Sequence, residues 1–578
     1  MARVTGCIDS ANGIGSATGS PHRLFCDERL RIEAVRKRTG QPAHRAAPAS
    51  LHSVSSDSIR FPFGSRDKDF ISMFRSTIRA SLARVPRVCV PMRLFIFWSL
   101  FSLLTTDGQG AESKIAAKLR VGIFQVDATP PLGSPVAYAL VRKIEDPLSA
   151  RGIVLLGAGE PIVLCAVDWI GIANGGHDAW RERLASEVGT TKDRVAVHAL
   201  HQHDGVRCDF TTEELLAPYG LAGRRFDVGF VRQTIARAAE AAKQAVVEAR
   251  PVTHLGIGQA RVEKIASNRR ILGPDGRVAI ARSSSYRIPE PILSRLVEQA
   301  RRDGYEQSAV RVAEALAAPE GVIDPMLKML TFYQEDRPVV GLSYYATHPQ
   351  SYFGQGDVTA EFVGLARAER ERALDGLLLV HFNGASGNVA AGKYNDGTPA
   401  ARVALTQRMA DGMRRAWEST QRVPLTAADV AWRVKTVVLP GNPKLEIATL
   451  RRTLADPQAP EGDRFSAASK LAFLLRMQAG TGIDLACLQL GNVFILHMPG
   501  ELFVEYQLAA QAMKPNATVC MAAYGDYGTG YIGTKIAYAE GGYETQPSAS
   551  NVSPEVEAVL TDGLRVLLGT ASDEGRND

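Results

Sequence analysis

The stretch VAVHALHQHDG, residues 195–205, carries the first indication of both fold and chemistry in this chain. Its apolar, alternating residues at 194–200 predict a buried β-strand, and Asp204-Gly205 is typical of a turn. On an extended chain alternate side chains share a face, so His201 and His203 are expected to project together from the strand end. Loops at strand ends often carry the chemistry of α/β proteins. The two imidazoles therefore suit a zinc site or an acid/base pair, or they lie in a polar turn without such a role.

Outward from this strand, strand-like and helix-like segments alternate along the chain. The predicted strands include 146–157, 161–172, 253–263, 376–382 and 493–498, with a hairpin at 327–346. The predicted helices include 177–188, 230–250, 287–320, 360–373, 399–417 and 501–513. This order predicts an α/β fold with mixed β-sheets flanked by helices, in a single large catalytic domain at 112–570.

The composition narrows the class of protein. The 578 residues have 45% hydrophobic and 22% charged side chains, as in ordinary globular proteins. The formal net charge is +6, but no basic patch is interleaved with aromatic residues in the body of the chain, so we expect no nucleic-acid partner. None of the seven cysteines forms a CxxC pair, which argues against a thiolate zinc cluster and leaves one disulfide open.

The N-terminal part differs from the rest. Residues 1–91 are rich in Ser, Arg, Gly and Pro, which predicts a disordered segment or a mis-annotated extension. The run MRLFIFWSLFSLL (92–104) and the small residues up to Ala111 have the layout of a signal peptide that begins at Met92. We therefore expect an exported protein (periplasm, cell envelope or extracellular), with an N-terminal arm and weak membrane anchor as the alternative. Residues 571–578 form a polar tail.

Three further polar sites interrupt apolar runs. His348 follows a predicted strand in SYYATHPQSY (343–352), and Glu501 follows another in FILHMPGELF (494–503), at the first turn of the predicted helix 501–513. Each could also have a purely structural role: His348 as a histidine of the core, and Glu501 as a carboxylate that interacts with the helix dipole. Together with His201 they fit a catalytic zinc site of the His₂Glu type. The third site is a loop at 524–544 whose glycines and tyrosines (524, 527, 531, 538 and 543) suggest a pocket wall.

In their order along the chain, these motifs resemble the neutral/alkaline (non-lysosomal) ceramidase family over about residues 121–544. The matching pieces are DATPPLG (127–133), DPLSARGIVL (146–155), ALHQHDG (199–205), SNRR (267–270), IDP (323–325), YYATHP (344–349), MPGE (498–501) and YIGT…YE (531–544). After Tyr543 one helix (554–568) is expected, and no segment resembling the family's C-terminal immunoglobulin-like domain.

The resemblance implies a role for particular residues. The zinc (Zn²⁺) ligands are expected to be His201, His348, Glu501 and Tyr531. The residues expected to act on the substrate are His203 as a proton shuttle, Tyr543 as the oxyanion contact, Arg269 in the substrate pocket, and Asn388 as a substrate-binding residue. The implied activity is attack of a zinc-bound water on an amide (N-acyl) or ester carbonyl of a small-molecule or lipid substrate. With a lipid substrate, the protein could also associate with a membrane surface.

One position departs from the family pattern. The family has Gly-Asp/Asn-x-Ser-Pro-Asn, whereas this chain has FNGASGNVAAG (382–392), with Ala390 at the serine position. Alanine has no hydroxyl that could act as a nucleophile or contact a substrate hydroxyl. Ceramide is therefore a doubtful substrate, and the alternative function is a non-catalytic member of the fold that binds a lipid or a glycan.

Overall fold

The computed structural model describes residues 118–285, 307–352 and 354–570. The predicted N-terminal extension (1–91), signal peptide (92–111) and polar tail (571–578) lie outside these residues, as does part of the helical insertion predicted at 287–320. The described end of that insertion forms the helix Gln307–Ala317.

Within the described residues, three β-sheets of four or five strands carry the fold. The first sheet has the strand order Val195–Ala199, Ile162–Val167, Ser149–Leu156, Arg120–Asp127 and Arg250–Pro251. The second has the order Leu379–Asn383, Arg337–Tyr345, Met326–Gln334, His254–Arg261 and Gln421–Pro424. The third has the order Val430–Val437, Ile483–Leu490, Val493–His497 and Thr518–Ala522.

Each sheet is antiparallel except for one parallel pair. These pairs are Ile162–Val167 with Val195–Ala199, Arg337–Tyr345 with Leu379–Asn383, and Val493–His497 with Thr518–Ala522. Backbone hydrogen bonds join the ends of the pairs, because Ala199 N donates to Tyr524 O and Ala523 N donates to Asn383 O, each over 3.1 Å. The carboxyl ends of all three pairs therefore meet at one place, where α/β proteins commonly bind ligands.

Short two-stranded ladders connect the loops around this meeting point. They pair Ser267–Asn268 with Val389–Ala390, Arg270–Leu272 with Val278–Ala281, Lys143–Ile144 with Asp357–Val358, Gly171–Ile172 with Arg207–Cys208, and Glu501–Leu502 with Tyr531–Ile532. Each ladder gives loop residues the backbone partners that buried N–H and C=O groups require.

Helices cover the outer faces of the sheets. Those of the described residues are Asn174–Val188, Phe210–Leu216, Val228–Val247, Gln307–Ala317, Glu361–Ala373, Pro399–Glu418, Ile447–Ala455, Glu461–Gln478, Val504–Met513, Lys535–Glu540 and Val556–Leu568. Their starts follow ordinary capping rules. The Asp227 side chain accepts from Phe230 N, and Thr398 caps the helix that begins with Pro399.

Alternate side chains along a strand point to opposite faces of the sheet, so they belong to different parts of the hydrophobic core. In the first sheet Ile153 faces a core shared with the second sheet, whereas its neighbour Val154 packs under the helices Asn174–Val188 and Val228–Val247. A third cluster lies between the third sheet and its helices and includes Leu496 and Leu560. Full burial of each such side chain contributes about 1.5–3 kcal/mol to the free energy of unfolding.

The α/β prediction, with mixed sheets flanked by helices in one large domain, is confirmed. The largest local error concerns Glu501, which we expected in the first turn of a helix. It lies instead in the strand Glu501–Leu502, and the helix begins at Val504. No helix among the described residues is long and apolar enough to cross a membrane. The cysteines in this part of the chain, Cys165, Cys208, Cys487 and Cys520, are buried and free.

Candidate metal centre

Each of the three sheets supplies one predicted zinc ligand to a common point. His201 follows Val195–Ala199, His348 follows Arg337–Tyr345, and Glu501 follows Val493–His497. The Nε2 atoms of His201 and His348 lie 3.4 and 3.1 Å from Oε2 of Glu501. All three side chains are buried. The fold therefore brings together three groups that lie far apart in the sequence.

The backbone at His201 turns sharply. The strand ends at Ala199, and His201 has a φ of 68°, in the left-handed region that non-glycine residues adopt at a cost of about 1–3 kcal/mol. The chain here is therefore not the extended strand end that the sequence predicted. The turn still brings the rings of His201 and His203 together, with centroids 4.9 Å apart. The Nδ1 atom of His201 donates to Ile170 O over 2.7 Å, which fixes the orientation of the ring.

His348 is held by the loop that follows the neighbouring strand. Its backbone N donates to Val389 O over 3.0 Å, and its backbone forms a bridge with Ala390. Its Nδ1 lies 2.7 Å from Ser386 O and 3.1 Å from Val389 O. These bonds aim Nε2 of His348 at Glu501.

The position of Glu501 depends on a glycine and on a short parallel ladder. Gly500 has a φ of 60°, and a Cβ atom there would lie 2.0 Å from Thr529 Oγ1, so only glycine fits. The ladder pairs Glu501 directly with Tyr531, another predicted ligand. The Tyr527 hydroxyl donates to Oε1 of Glu501 over 2.5 Å, which leaves Oε2 to face the histidines.

These residues fit a divalent cation. A carbonyl oxygen only accepts hydrogen bonds, so Nδ1 carries the ring proton in neutral His201 and His348, and each Nε2 lone pair faces Glu501. Burial lowers the pKa of His348 to about 4. Neutral imidazoles and an ionised carboxylate are the forms that bind metals, and zinc takes this nitrogen and oxygen ligand set.

His203 is a third imidazole at the same point. His201, His203 and His348 each offer a ring nitrogen, and these atoms lie within 4.8 Å of one another. The Nδ1 atom of His203 lies 3.3 Å from the Tyr138 hydroxyl, and its buried Nε2 has no hydrogen-bond partner among the described residues. Burial, together with the two neighbouring histidines, lowers the pKa of His203 well below its usual value. Its Nε2 is therefore free to bind a metal or to accept a proton.

Arg269, Tyr531 and Tyr543 form a connected group beside the histidines. Arg269 Nη1 donates to the Tyr531 hydroxyl over 3.1 Å, and the hydroxyls of Tyr531 and Tyr543 lie 2.8 Å apart. The Arg269 guanidinium also lies 4.7 Å from the ring centroid of Tyr543. Burial raises the pKa of both tyrosines, so their hydroxyls stay protonated and can donate.

The remaining predicted site residues have structural contacts. The Asn388 side chain donates to the carboxylate of Glu505 and accepts from Val504 N, while its backbone O accepts from Arg269 N over 2.8 Å. These contacts hold Arg269 in place, and the substrate-binding role of Asn388 stays a prediction. Ala390 is fully buried opposite Ser267 in a short ladder.

Other site residues were not found from the sequence. Tyr527 and Tyr524 belong to the loop predicted as a pocket wall, and Tyr524 stacks on His201 with ring centroids 4.7 Å apart. Tyr538 of that loop bonds Ser550 instead. No sequence pattern indicated that Tyr138 belongs to the site, because it lies 65 residues from its contact His203 in the sequence.

Comparison with known proteins bears on the fold of the chain. No protein-family model matches the chain, and no curated protein matches it. A solved structure described as "Ceramidase complexed with C2" superimposes with a TM-score of 0.55 at 16% identity, over 80% of this chain and 77% of that chain. The neutral ceramidase from Pseudomonas aeruginosa superimposes with a TM-score of 0.55 at 15% identity, over 79% and 76%.

The chain has a ceramidase-like fold. At 15–16% identity the likeness is one of architecture, and folds host many activities, so the chemistry must be argued from the site.

Proposed function

We propose that the protein is an exported zinc-dependent hydrolase that cleaves an amide (N-acyl) or ester linkage in a lipid substrate. The observation that carries the proposal is the approach of His201 Nε2 and His348 Nε2 to Glu501 Oε2, within 3.4 Å, beside the hydroxyls of Tyr531 and Tyr543. The ceramidase-like fold supports the same class of reaction.

His201, His348 and Glu501 would hold the metal, with Tyr531 as the fourth ligand. Bound there, zinc supplies Lewis acidity for a carbonyl oxygen and lowers the pKa of water. His203 is neutral because burial lowers its pKa, so its unpartnered Nε2 accepts a proton during hydrolysis and returns it to the leaving group. The Tyr138 hydroxyl at Nδ1 orients the ring.

Tyr543 and Arg269 are the donors for the carbonyl oxygen. Burial keeps the Tyr543 hydroxyl protonated, and Arg269 lies over its ring, so both donors are positioned before a substrate arrives. Donors fixed in this way stabilise the negative charge that develops on the oxygen in the transition state. Ala390 takes no part in these steps, so hydrolysis does not require the family serine.

Two measurements on the purified chain test the proposal: analysis of its bound metal, and hydrolysis assays with a panel of N-acyl and ester substrates. We expect about one zinc per chain, as at a single catalytic site. His348→Ala should lose most of the metal and activity. His254→Ala is the matched control, because His254 bonds Thr253 in the second sheet. Absence of bound transition metal in the wild type would refute the zinc site, whereas a metal-loaded protein without hydrolysis of any substrate would favour the binding alternative.

Export rests on residues 92–111 and has its own test. N-terminal sequencing of protein from the native host should find a chain that begins near Glu112. An intact Met1 would contradict both the start at Met92 and the signal peptide.

A further inference from the structure

Arg207 lies one aromatic ring away from the candidate metal centre. Its Nε donates to Ala137 O over 3.2 Å, and its guanidinium carbon lies 5.6 Å from the ring centroid of Tyr138. The hydroxyl of that same tyrosine reaches Nδ1 of His203 at 3.3 Å. Arg207 is half-buried and forms no ion pair with any carboxylate in the described part of the chain. Within the described residues its charge is therefore held beside the centre without a counterion.

A second arginine adds to this charge. Arg224 pairs with Glu461 over 2.8 Å, but its neighbour Arg225 is half-buried and has neither an ion pair nor a hydrogen bond within the described residues. The carboxylate of Asp227 is already engaged, because it caps a helix at Phe230 N and accepts from Ser134. The guanidinium carbon of Arg225 instead lies 5.6 Å from the ring centroid of Phe465.

The charges of Arg207 and Arg225 act on each other and on Tyr138. The charge of Arg207, and then burial, lower the pKa of Arg225 to about 9. Desolvation raises the pKa of the inward-pointing Tyr138 hydroxyl and Glu501 adds to this rise, while Arg207, Arg225 and Arg269 oppose it. All three arginines therefore act on one hydroxyl at the centre, where a bound divalent cation would add further positive charge.

Such an excess of positive charge attracts anions. Partly buried like charges repel, and the repulsion is relieved when an anion binds between them. The planar guanidinium group matches carboxylate and phosphate oxygens in a two-pronged geometry, and desolvated clefts of one sign concentrate ligands of the opposite sign. The carboxylate of Glu501 opposes the arginines at the Tyr138 hydroxyl, but its oxygens already contact the histidines and Tyr527, and it forms no ion pair with Arg207 or Arg225.

We propose that the substrate carries an anionic group, a carboxylate or a phosphate, close to the scissile linkage, and that Arg207 and Arg225 bind it. This inference rests on the proposed hydrolase function. The loop that holds Tyr138 also exposes Leu132 (67%) and Leu140 (60%), and Tyr138 itself is 40% exposed. An apolar loop beside paired guanidinium groups suits an amphiphile with an acyl chain and an acidic head.

A matched pair of substrates tests the proposal. N-lauroylglycine and N-lauroylglycinamide share the acyl chain and the scissile amide, and differ in the carboxylate. We expect the wild type to favour the acid in kcat/KM by about tenfold or more, as hydrogen bonds to charged groups typically do. Arg207→Gln and Arg225→Gln should each lower the acid-to-amide ratio by about tenfold. Arg207→Lys should keep part of the preference, since it retains the charge and loses the two-pronged geometry.

Arg224→Gln is the control. It removes the same charge from the neighbouring residue, whose side chain is already paired with Glu461. It should leave the acid-to-amide ratio unchanged. The preference of the wild type should also weaken with salt, since screening shortens the reach of the charges. Equal effects of Arg224→Gln and Arg225→Gln, or no preference in the wild type, would overturn the proposal.

Calorimetric binding separates this inference from the proposed function. If no substrate of the panel is hydrolysed, the hydrolase proposal fails, but tighter binding of N-lauroylglycine than of its amide would still support the anion site. Equal binding of the two compounds, with no binding to phosphatidylglycerol vesicles that depends on Arg207, would overturn the anion site whatever the activity. Vesicles of phosphatidylglycerol or phosphatidylcholine distinguish the source of the anion. Binding to the phosphatidylglycerol vesicles through Arg207 without binding of the free acid would assign the anion to a lipid headgroup.

Discussion

Replacing Tyr527 by phenylalanine removes a single hydroxyl that contacts the candidate metal centre. That hydroxyl donates to Oε1 of Glu501 over 2.5 Å, and burial raises its pKa, so it remains a donor at neutral pH. A hydrogen bond to a buried charged group contributes about 1.5–3 kcal/mol. Loss of a partner that orients a metal ligand typically weakens metal binding about 10–100-fold. We expect Tyr527→Phe to weaken zinc binding by that factor.

The measurement is a zinc titration of metal-free protein at pH 7 in competition with a chromophoric chelator. Tyr538→Phe is the control from the same loop, since the Tyr538 hydroxyl bonds Ser550 and lies outside the centre. It should bind zinc like the wild type. Wild-type affinity in Tyr527→Phe, or equal losses in both variants, would refute the claim that Tyr527 orients Glu501 for a metal.

Three other substitutions test other parts of the structure. Tyr543→Phe should lower kcat on the best substrate by about a hundredfold, as loss of an oxyanion donor does, and an unchanged kcat would contradict its role. The wild type should cleave ceramide weakly or not at all, and Ala390→Ser should raise that turnover in a direct assay. Asp168→Asn should lower the free energy of unfolding at pH 7 by about 3–5 kcal/mol, because it breaks a buried pair with Arg367. Burial alone would raise the pKa of Asp168, but Arg367 holds it below its usual value. Denaturation curves should therefore show this stabilisation at all pH values above about 3.9, and its loss as the pH falls through the lower folded pKa.

Sequence periodicity predicted most of the secondary structure because local patterns specify it. The hairpin expected at 327–346 is formed by Met326–Gln334 and Arg337–Tyr345, and the helix expected at 399–417 is Pro399–Glu418. In both cases the signals are local: alternating apolar residues for the strands, and a proline at the first helical position. Such signals do not depend on the rest of the fold.

The geometry of the site could not be predicted in the same way. Glu501 was expected in a helix because it precedes a helical pattern, yet a ladder with Tyr531 draws it into a strand. The left-handed backbone at His201 has no reliable local signature, because few non-glycine residues adopt that region, although histidine does so more often than most. The contact of Tyr138 with His203 depends on two loops that only the packed sheets bring together. Tertiary contacts decide each of these features.

The predicted metal ligands follow strands of different sheets, and this affects the stability of the folded protein. His201, His348 and Glu501 each follow a strand of a different sheet, and backbone hydrogen bonds join those sheets at the ends that carry the ligands. The ligand set therefore exists only in the packed chain, and a metal that binds it adds to the stability of the folded state alone. The lone pairs of two histidines face an ionised carboxylate there, and His201 adopts a strained backbone. A cation between these groups turns their mutual repulsion into attraction, so metal binding and the packing of the three sheets stabilise each other.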